Sequence, residues 1–274
     1  MDNNKQKAIF LDLDDTLLTS EKKISDKTVA ALHRMLDEGH IVAFNTGRPT
    51  RAIKTIVTPY GFDRLGCYYL GFHGSVIVDA SADKTVRCNS MDSDKVIHLM
   101  KAFREAGIYT QCFDEHYLLT FENCETLEEY NKVTHEPVHF LTSYDELKER
   151  NITKAMGIDF SNHDILVEFQ EKYKENEAGF LNSFFSCTPY LEYCKLGSHK
   201  GAGLQALAEL LDISIENTVA CGDERNDIPM IKAAGVGVAM KNAHPEVIQI
   251  SDYVTENDNN HDGIAEVVEK FILN

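Results

Sequence analysis

Two aspartates, Asp12 and Asp14, follow a short hydrophobic run near the start of the chain. The run, residues 8–11 (AIFL), is bounded by polar residues and predicts a buried strand. Strand alternation would point both carboxylates to the same side, with Leu13 turned away between them. Neighbouring carboxylates repel each other and are costly to desolvate, so a divalent cation or a shared proton would relieve them. The pair indicates metal or acid–base chemistry, and a plain polar turn after a strand is the alternative.

Further polar groups follow predicted strands or begin predicted helices later in the chain. Carboxylate oxygens are hard ligands that suit Mg²⁺. A lysine at a helix N-terminus favours an anion, and a glycine beside a threonine hydroxyl lets the backbone approach a ligand closely. Together these groups make a site for phosphoryl transfer, in which developing charge is stabilised electrostatically. The residues concerned are Thr46, Gly47, Lys200, Asp223, Asn226 and Asp227.

The elements that would position these groups form a repeated strand–helix pattern. A helix predicted at 25–39, with Ser25 as its N-cap and Gly39 at its end, precedes a second strand at 41–44. Strand, helix and strand in close succession form a βαβ unit, which implies a parallel sheet. The pattern resumes after residue 192. In a doubly wound sheet, the polar groups named above can meet at the carboxyl ends of the strands.

The middle of the chain has a different pattern. Runs of predicted strands lie beside predicted helices, which suggests an α+β domain with an antiparallel sheet. We expect residues 83–186 to form this domain, inserted into a core made of residues 1–82 and 187–274. The predicted fold class is therefore α/β, with a doubly wound parallel Rossmann-like core and an inserted α+β domain. The predicted strands are 76–78, 85–87, 108–113, 116–121 and 152–160, and the predicted helices are 93–106, 125–134, 143–150 and 163–175.

Four short motifs carry a resemblance to a known family. In order and spacing they are similar to the motifs of the haloacid dehalogenase superfamily, and more narrowly to its Cof-type (class IIB) sugar-phosphate phosphatases. The resemblance covers nearly the whole chain, and in this family an insertion between the second and third motifs is a type 2 cap. The motifs are DLDDT (12–16), NTGR (45–48), Lys200-Gly201 and GDERND (222–227), supported by 190–192, 229–230, 238–240, 242–243 and 262–263.

The resemblance implies a role for each matching residue. Asp12 would be the nucleophile that forms an aspartyl-phosphate, and it would also bind Mg²⁺. Asp14 would act as acid and then as base, which requires a pKa raised toward neutrality, and its backbone carbonyl would bind Mg²⁺. Asp223 would bind the metal directly, and Asp227 would support it through water or orient Lys200. The phosphoryl group would be held by the Leu13 amide, Thr46, the Gly47 amide, Lys200 and Asn226.

Some positions depart from the family pattern or allow two interpretations. Asp15 stands where the family often has glycine, and we assign it no catalytic role. His73 begins His-Gly-Ser where Asn-Gly-Ala is usual, and it either contacts substrate or is a hydrogen-bonded structural histidine. Arg48 either binds a substrate anion or pairs with a surface carboxylate. His116 and Tyr117, in a predicted hairpin turn, are candidate specificity residues.

Two stretches have ordinary structural explanations. Gly235-x-Gly237 resembles part of a dinucleotide-binding fingerprint but lacks the third glycine, so we expect a tight entry into a strand. Residues 256–262 form a polar run rich in Asn and Asp, for which a solvated loop is expected.

Composition limits the classes of function. The chain has 274 residues, 43% of them hydrophobic, which is enough for a large core. The net charge of −17 argues against binding to nucleic acid or to anionic membrane surfaces. No apolar run approaches the roughly 18–20 residues that span a bilayer. Seven cysteines without a CxxC pair, and a polar N-terminus that does not resemble a signal peptide, predict reduced thiols in a cytoplasmic protein.

The expected function is a Mg²⁺-dependent phosphatase that acts on small phosphorylated metabolites, with sugar phosphates as the expected class. We expect a monomer or a small homo-oligomer. One alternative keeps the first step but transfers the phosphoryl group to another sugar hydroxyl, as in a phosphohexomutase. A second alternative is a non-catalytic sugar-phosphate sensor. The sequence does not identify the substrate.

Overall fold

The computed structural model describes residues 6–274, and these form two compact units. The first unit runs up to Arg87 and resumes at His199, and the second is Cys88–Ser198. Residues 1–5, which belong to the polar N-terminus considered above, lie outside the described residues. No helix among residues 6–274 combines the length and apolar character needed to cross a bilayer.

The described part of the chain contains strands and helices in the order that the sequence pattern predicts, with additional strands in the second unit. The strands are β1 (Ala8–Leu11), β2 (Ile41–Asn45), β3 (Cys67–Gly71), β4 (Val76–Asp79), β5 (Lys84–Cys88), β6 (Tyr109–Phe113), β7 (Leu118–Thr120), β8 (Val138–Phe140), β9 (Lys154–Ile158), β10 (Leu181–Cys187), β11 (Tyr190–Lys195), β12 (Thr218–Gly222), β13 (Val236–Ala239) and β14 (Tyr253–Val254). The helices are α1 (Asp26–Asp37), α2 (Thr50–Val57), α3 (Ser93–Glu105), α4 (Glu125–Thr134), α5 (His163–Glu177), α6 (Lys200–Leu210), α7 (Ile228–Ala233), α8 (Pro245–Ile250) and α9 (Gly263–Val267), which continues as a wider turn over Val268–Ile272. Short helical turns lie at Leu13–Leu17, Thr58–Tyr60, Tyr144–Glu149, Ile215–Asn217 and Arg225–Asp227.

The first unit is built on an eight-stranded sheet of order β14-β13-β12-β1-β2-β3-β4-β5. The six strands from β14 to β3 are parallel, and β4 pairs antiparallel with β3. From β1, the strands β2 and β3 are added on one side of the sheet, and the later strands β12, β13 and β14 are added on the other side. This arrangement confirms the predicted doubly wound parallel core.

Local sequence explains why these elements form. The side chain of Ser25 accepts a hydrogen bond from the Thr28 amide at 3.2 Å, which caps α1 as predicted. Gly39 has φ +87°, a left-handed conformation that ends the helix. One face of the sheet is buried by α6, where Leu204 and Leu207 join Phe10 of β1 in a single apolar cluster. Burial of this kind is the main source of stability for such elements.

The second unit contains a six-stranded sheet of order β10-β11-β9-β6-β7-β8. Most neighbours are antiparallel as predicted, but β8 pairs parallel with β7. Strands β8, β10 and β11 were not predicted from the sequence. None of the three has a simple alternating burial pattern, and β8 has only three residues, so the period-2 signal is too weak to detect.

The expected boundaries of the insertion, 83 and 186, differ from the units of the structure. The residues of β5 up to Arg87 belong to the first unit, and β11 belongs to the second sheet, where Leu191 lies opposite Gly157. The boundary at 186 was therefore wrong, because residues 190–192 continue the antiparallel sheet. Strand β11 belongs to the second sheet because its backbone pairs with β9 and β10. Pairing between distant strands produces no local sequence pattern.

The second unit has its own hydrophobic core, rich in aromatic residues. The rings of Phe103 and Phe169 stack at 4.1 Å between centroids, and Tyr193 meets Phe103 edge-on at 5.8 Å. A Cβ atom at Gly157 would lie 2.3 Å from the Phe103 ring, so only glycine lets the helix α3 approach β9 this closely. The core and the sheet together explain why residues 88–198 form a compact unit.

Candidate active site

The predicted site residues of the first unit gather at the carboxyl ends of three neighbouring strands. In the register of the parallel sheet, Leu11 of β1 lies opposite Phe44 of β2 and Cys221 of β12. The residues that follow these positions therefore leave the sheet side by side. The amide of Asp12 donates to the Cys221 carbonyl at 3.1 Å. This backbone hydrogen bond holds Asp12 at the end of the pairing between β1 and β12.

A buried lysine lies among the carboxylates at this edge. The Nζ atom of Lys200 is 2.5 Å from Oδ1 of Asp12 and 2.5 Å from Oδ1 of Asp227. The side chain of Lys200 is 1% exposed and that of Asp227 is fully buried. Charge-assisted hydrogen bonds of this length in a low-dielectric setting hold the ammonium group in one position.

Two contacts from outside its helix place Lys200. It is the first residue of α6, and the side-chain amide of Asn45 donates to its carbonyl oxygen at 2.9 Å. A Cβ atom at Gly201 would lie 2.3 Å from the Pro229 carbonyl oxygen, so glycine is required where α6 passes α7. Sequence reasoning missed Asn45. A polar residue at the end of an apolar strand, fully buried here, is the signal that could have found it.

The Asp223 and Asp227 carboxylates are held by different partners. Oδ1 of Asp223 accepts from the Thr16 hydroxyl at 2.7 Å. Oδ2 of Asp227 accepts from the amides of Asp223 and Glu224 at 3.0 and 3.1 Å, while its other oxygen faces Lys200. A Cβ atom at Gly222 would lie 2.4 Å from Cβ of Asp227. Glycine at 222 therefore allows Asp227 to fold back over the strand end, and of its two suggested roles the geometry favours orienting Lys200.

The electrostatics of the cluster follow from its burial. Burial raises the pKa of Asp12 to about 7, with further upward contributions from Asp227 and Asp223 that Lys200 only partly offsets. Burial also raises the pKa of Asp223 to about 6, against the hydrogen bond from Thr16. Burial acts to lower the pKa of Lys200, but Asp12 and Asp227 outweigh it and hold that pKa above its usual value. One buried cation thus faces three carboxylates.

These carboxylates fit a divalent metal ion. One oxygen from each of Asp12, Asp223 and Asp227 lies within 4.8 Å of the others. The donors are all oxygen, which suits a hard cation such as Mg²⁺. Burial is the main cause of the raised pKa values of Asp12 and Asp223, because it disfavours their ionised forms. A cation at this place would stabilise those ionised forms.

Asp14 is not one of the three clustered carboxylates. The strand ends at Leu11 and the chain turns at Leu13, so the expectation from strand alternation does not apply. Both carboxylate oxygens of Asp14 pair with Arg48, at 2.8 Å each, and Oδ1 also pairs with Lys22 at 3.0 Å. Burial acts to raise the pKa of Asp14, but Arg48 and Lys22 outweigh it and place the pKa below its usual value. The expected raised pKa of Asp14 was wrong for this arrangement.

The turn that follows β2 presents the groups expected to hold a phosphoryl group. Thr46 is buried, and its hydroxyl accepts from the Arg48 amide at 3.3 Å. A Cβ atom at Gly47 would lie 2.5 Å from the His73 ring, which is 6% exposed. The His73 amide donates to the Thr46 carbonyl at 2.9 Å. The His73 ring thus packs against this turn, and both interpretations of that residue stay predictions.

The remaining predicted residues have simpler positions. Leu13 is fully buried at the start of the turn after Asp12, and Asn226 is exposed in the turn after β12. His116 and Tyr117 lie in the second unit, where their amides donate to Asp114 at 2.8 and 2.7 Å in a tight turn. Arg48 pairs with the carboxylate of Asp14. This carboxylate is one of the predicted site residues, and not a surface carboxylate elsewhere.

Other sequence features have structural explanations. Cβ atoms at Gly235 and Gly237 would lie 2.5 Å from the carbonyl oxygens of Ile215 and Ile231, so these glycines serve close packing at the entry of β13. All seven cysteines are free, at positions 67, 88, 112, 124, 187, 194 and 221.

A comparison with protein families matches residues 9–268 to the haloacid dehalogenase-like hydrolases. The matched range contains the three strand ends, Lys200 and the turn with Asp223 and Asp227. It also contains the whole second unit.

Individual relatives and solved structures match over most of their length. The chain is 30% identical over 268 residues to the 5-amino-6-(5-phospho-D-ribitylamino)uracil phosphatase of Bacillus subtilis, covering 97% of this chain and 96% of that protein. It is 30% identical over 251 residues to the HMP-PP phosphatase of Yersinia pseudotuberculosis, covering 87% and 85%. A crystal structure of a haloacid dehalogenase-like hydrolase from Bacteroides thetaiotaomicron superposes with a TM-score of 0.87 at 26% identity, covering 97% of this chain and 99% of that one.

Proposed function

We propose a mechanism and a substrate class from one premise, which is that this chain belongs to the haloacid dehalogenase-like hydrolases and is a phosphatase of that family. The proposed reaction is the Mg²⁺-dependent hydrolysis of small phosphorylated metabolites through an aspartyl-phosphate. The observation that carries it is the buried Lys200 held between Asp12 and Asp227 at the ends of parallel strands.

In the first step an oxygen of Asp12 attacks phosphorus, and the bond between phosphorus and the leaving oxygen breaks. Asp14 gives a proton to that oxygen, so the product leaves as an alcohol. In the second step Asp14 takes a proton from water, the water oxygen attacks phosphorus, and the acyl-phosphate bond breaks. Inorganic phosphate leaves and the Asp12 carboxylate is regenerated.

Charge on the phosphoryl group is the main electrostatic demand of this reaction. Lys200 supplies a fixed positive charge beside Asp12. The amides of Leu13 and Gly47, the hydroxyl of Thr46 and the exposed Asn226 would provide further donors. Asp12 and Asp223, with the backbone carbonyl of Asp14, would hold Mg²⁺. The bound cation would neutralise the crowded carboxylates and polarise the phosphoryl oxygens.

The proton-transfer role of Asp14 places a demand on Arg48. A carboxylate that accepts two hydrogen bonds from one guanidinium and one from Lys22 is stabilised in its ionised form. Protonation of Asp14 therefore requires at least one of these cations to release an oxygen. Arrival of a substrate anion near Arg48 is the change that would accomplish this.

The substrate class rests on resemblance. The two relatives named above are phosphatases of a phosphoribitylamino-uracil and of HMP-PP by name. We extend from them only the coarse class of small phosphorylated metabolites, with sugar phosphates as the narrower proposal. Transfer to another sugar hydroxyl, as in a phosphohexomutase, and a non-catalytic sensor stay as alternatives. A cytoplasmic location is also a proposal, which the free cysteines support.

Replacing the nucleophile tests the proposal. We expect Asp12→Asn to reduce hydrolysis of 4-nitrophenyl phosphate with Mg²⁺ by at least about a thousandfold, because an amide oxygen is a poor nucleophile for phosphorus. Phosphate release is measured with and without an added sugar acceptor, since a mutase would require the acceptor. Asp83→Asn, an exposed carboxylate paired with Lys54, is the matched control and should retain activity. Equal rates for Asp12→Asn and wild type would contradict the nucleophile assignment.

A further inference from the structure

The turn that carries Asp14 has an unusual backbone. Residues Leu13–Leu17 form a short helical turn, but Asp14 and Asp15 inside it are not helical, and Asp15 has φ +57°. A left-handed conformation costs a non-glycine residue about 1–2 kcal/mol, although Asp tolerates it better than most. The amides of Leu17 and Leu18 donate to the carbonyls of Asp12 and Leu13 at 3.3 and 2.8 Å. Such a backbone persists only when its surroundings hold it.

Two asparagines from the far end of the chain hold this turn. The side-chain amide of Asn242 donates to the Asp15 carbonyl at 2.7 Å. That of Asn259 donates to the Leu18 carbonyl at 2.9 Å, and Asn259 is 8% exposed. The two asparagines are themselves joined, because Oδ1 of Asn242 accepts from the Asn259 amide at 3.2 Å. Their amides therefore bond carbonyls on both sides of Thr16, which contacts Asp223.

The loop that carries Asn259 is anchored. The Glu266 carboxylate of α9 accepts from the amides of Glu256 and Asn257 at 3.0 and 3.1 Å, and from the Asn257 side chain at 2.9 Å. The Lys241 amide, next to Asn242, donates to the Thr255 hydroxyl at 2.9 Å. The expectation of a simple solvated loop at 256–262 was therefore incomplete, because the loop connects the C-terminal helix to the turn after Asp12.

We propose that Asn242 and Asn259 are positioning residues for Asp14. By fixing the Asp15 and Leu18 carbonyls, they hold the turn in the conformation that aims Asp14 at the leaving oxygen. This inference rests on the proposed function, in which Asp14 protonates that oxygen. The donors that are lost bond to the Asp15 and Leu18 carbonyls, so we expect the loss of either amide to act first on the orientation of Asp14 and on its proton transfer.

The test compares two aryl phosphate esters that differ in how readily the aryl group leaves. Phenyl phosphate releases a phenolate whose conjugate acid has a pKa of about 10, so its departure needs a proton. 2,4-Dinitrophenyl phosphate releases a much weaker base that leaves without one. We expect Asn242→Ala and Asn259→Ala to lower kcat/KM for phenyl phosphate about tenfold to a hundredfold, with a loss for the dinitrophenyl ester no larger than about threefold. The ratio kcat/KM reports the first step, in which the aryl group leaves, and not the later attack of water that both esters share.

Three further variants separate positioning from general stability. His261→Ala is the matched control, because His261 lies in the same loop, its side chain is 73% exposed, and it pairs with Asp258 at 2.6 Å. It should leave both esters within about twofold of wild type. Asn242→Asp preserves shape and the bond from Asn259 but removes the donor to Asp15, so it should reproduce the alanine effect even where the alanine variant folds poorly. Asn242→Ala added to Asp14→Asn should cause no further loss with phenyl phosphate.

The outcomes are distinguishable. If Asp14→Asn lowers kcat/KM of both esters equally, the proposed role of Asp14 as the acid is wrong. If Asp14→Asn lowers kcat/KM selectively for phenyl phosphate while Asn242→Asp and Asn259→Ala lower it equally for both esters, the asparagines do not act through Asp14 and the positioning inference is overturned. An additive loss in the Asp14→Asn background would overturn it as well.

Discussion

At the scale of single residues, the site is defined by an excess of buried negative charge around Lys200. Removing a carboxylate from water is costly, and one ammonium group cannot compensate three of them. Hydrogen bonds from backbone amides to Asp227, and from a hydroxyl to Asp223, stabilise part of this negative charge. Burial, with the mutual repulsion of the carboxylates, raises the pKa values of Asp12 and Asp223 above the ordinary value.

The raised pKa values predict how stability depends on pH in metal-free buffer. The pKa of Asp12 rises from 3.8 to about 7 and that of Asp223 to about 6, so the folded protein holds more protons than the unfolded chain between these limits. The free energy of unfolding should therefore fall as pH rises from about 4 to about 7. Asp223→Asn removes one of the charges. The Tm of this variant minus the Tm of wild type, measured in EDTA, should therefore increase as pH rises from about 4 to about 7.

Thermal melts at a series of pH values measure this difference. Mg²⁺ added at pH 7 should raise the Tm of wild type more than that of Asp223→Asn. For Asp83→Asn, which changes an exposed ion pair, the difference in Tm from wild type should not increase with pH. A Tm gain for Asp223→Asn that is the same at pH 4 and pH 7 would contradict the account.

At the scale of elements, the site depends on close contacts where strands end and helices begin. The short connections after β1, β2 and β12 leave little room, and glycine occurs where another element would occupy the space of a Cβ atom. Gly201 admits the Pro229 carbonyl, and Gly222 admits the Asp227 side chain. These contacts convert the regular geometry of the sheet into fixed positions for Lys200 and Asp227.

Gly222→Ala should therefore disturb both stability and activity. The new Cβ atom would lie 2.4 Å from Cβ of Asp227, so Asp227 must move and its bond to Lys200 must lengthen. We expect a loss of about 1–3 kcal/mol in the free energy of unfolding, measured in urea, and a fall in kcat. Gly39→Ala is the control. Nothing lies within 4 Å of its Cβ position, so it should lose only about 1 kcal/mol through its left-handed backbone and keep its activity.

At the scale of the whole molecule, the chain is divided into two units with separate cores. The second unit is a single continuous segment, whereas the first is made of two segments. Both sheets have a complete apolar layer of their own. Within the second unit, the side chain of Asn89 donates to the Ser198 hydroxyl at 3.3 Å, so the two ends of the segment lie together.

A protein consisting of residues 88–198 alone should therefore fold. Its core and its six-stranded sheet are contained in the segment, and the two ends of the segment already lie together. We expect a single cooperative thermal transition by circular dichroism and no hydrolysis of 4-nitrophenyl phosphate, because Asp12 and Lys200 lie in the other unit. A segment ending at 186 is the matched comparison, and it should fail to fold because it lacks β11, which pairs with β9 and β10. Folding of the shorter segment would contradict this view of the sheet.

The sequence by itself determined the first strand–helix–strand unit, the parallel class of the core sheet and the chemistry of the strand ends. Apolar runs and helix caps are local signals, so β1, β2, α1 and the residues Asp12 and Lys200 could be located without a structure. The edge strands of the second unit could not, because β8 and β10 are defined by pairing with distant neighbours more than by their own pattern.

Only the tertiary structure decided which partners hold the site residues. The pair of Asp14 with Arg48 joins positions 34 residues apart, that of Asn45 with Lys200 joins positions 155 apart, and that of Asn242 with Asp15 joins positions 227 apart. Whether Asp14 has a raised or a lowered pKa depends on such partners, and so does the identity of the residues that hold its turn. The physical reason is that hydrogen bonds and charge pairs act over a few ångströms in space, whereas sequence patterns report only on residues that are close along the chain.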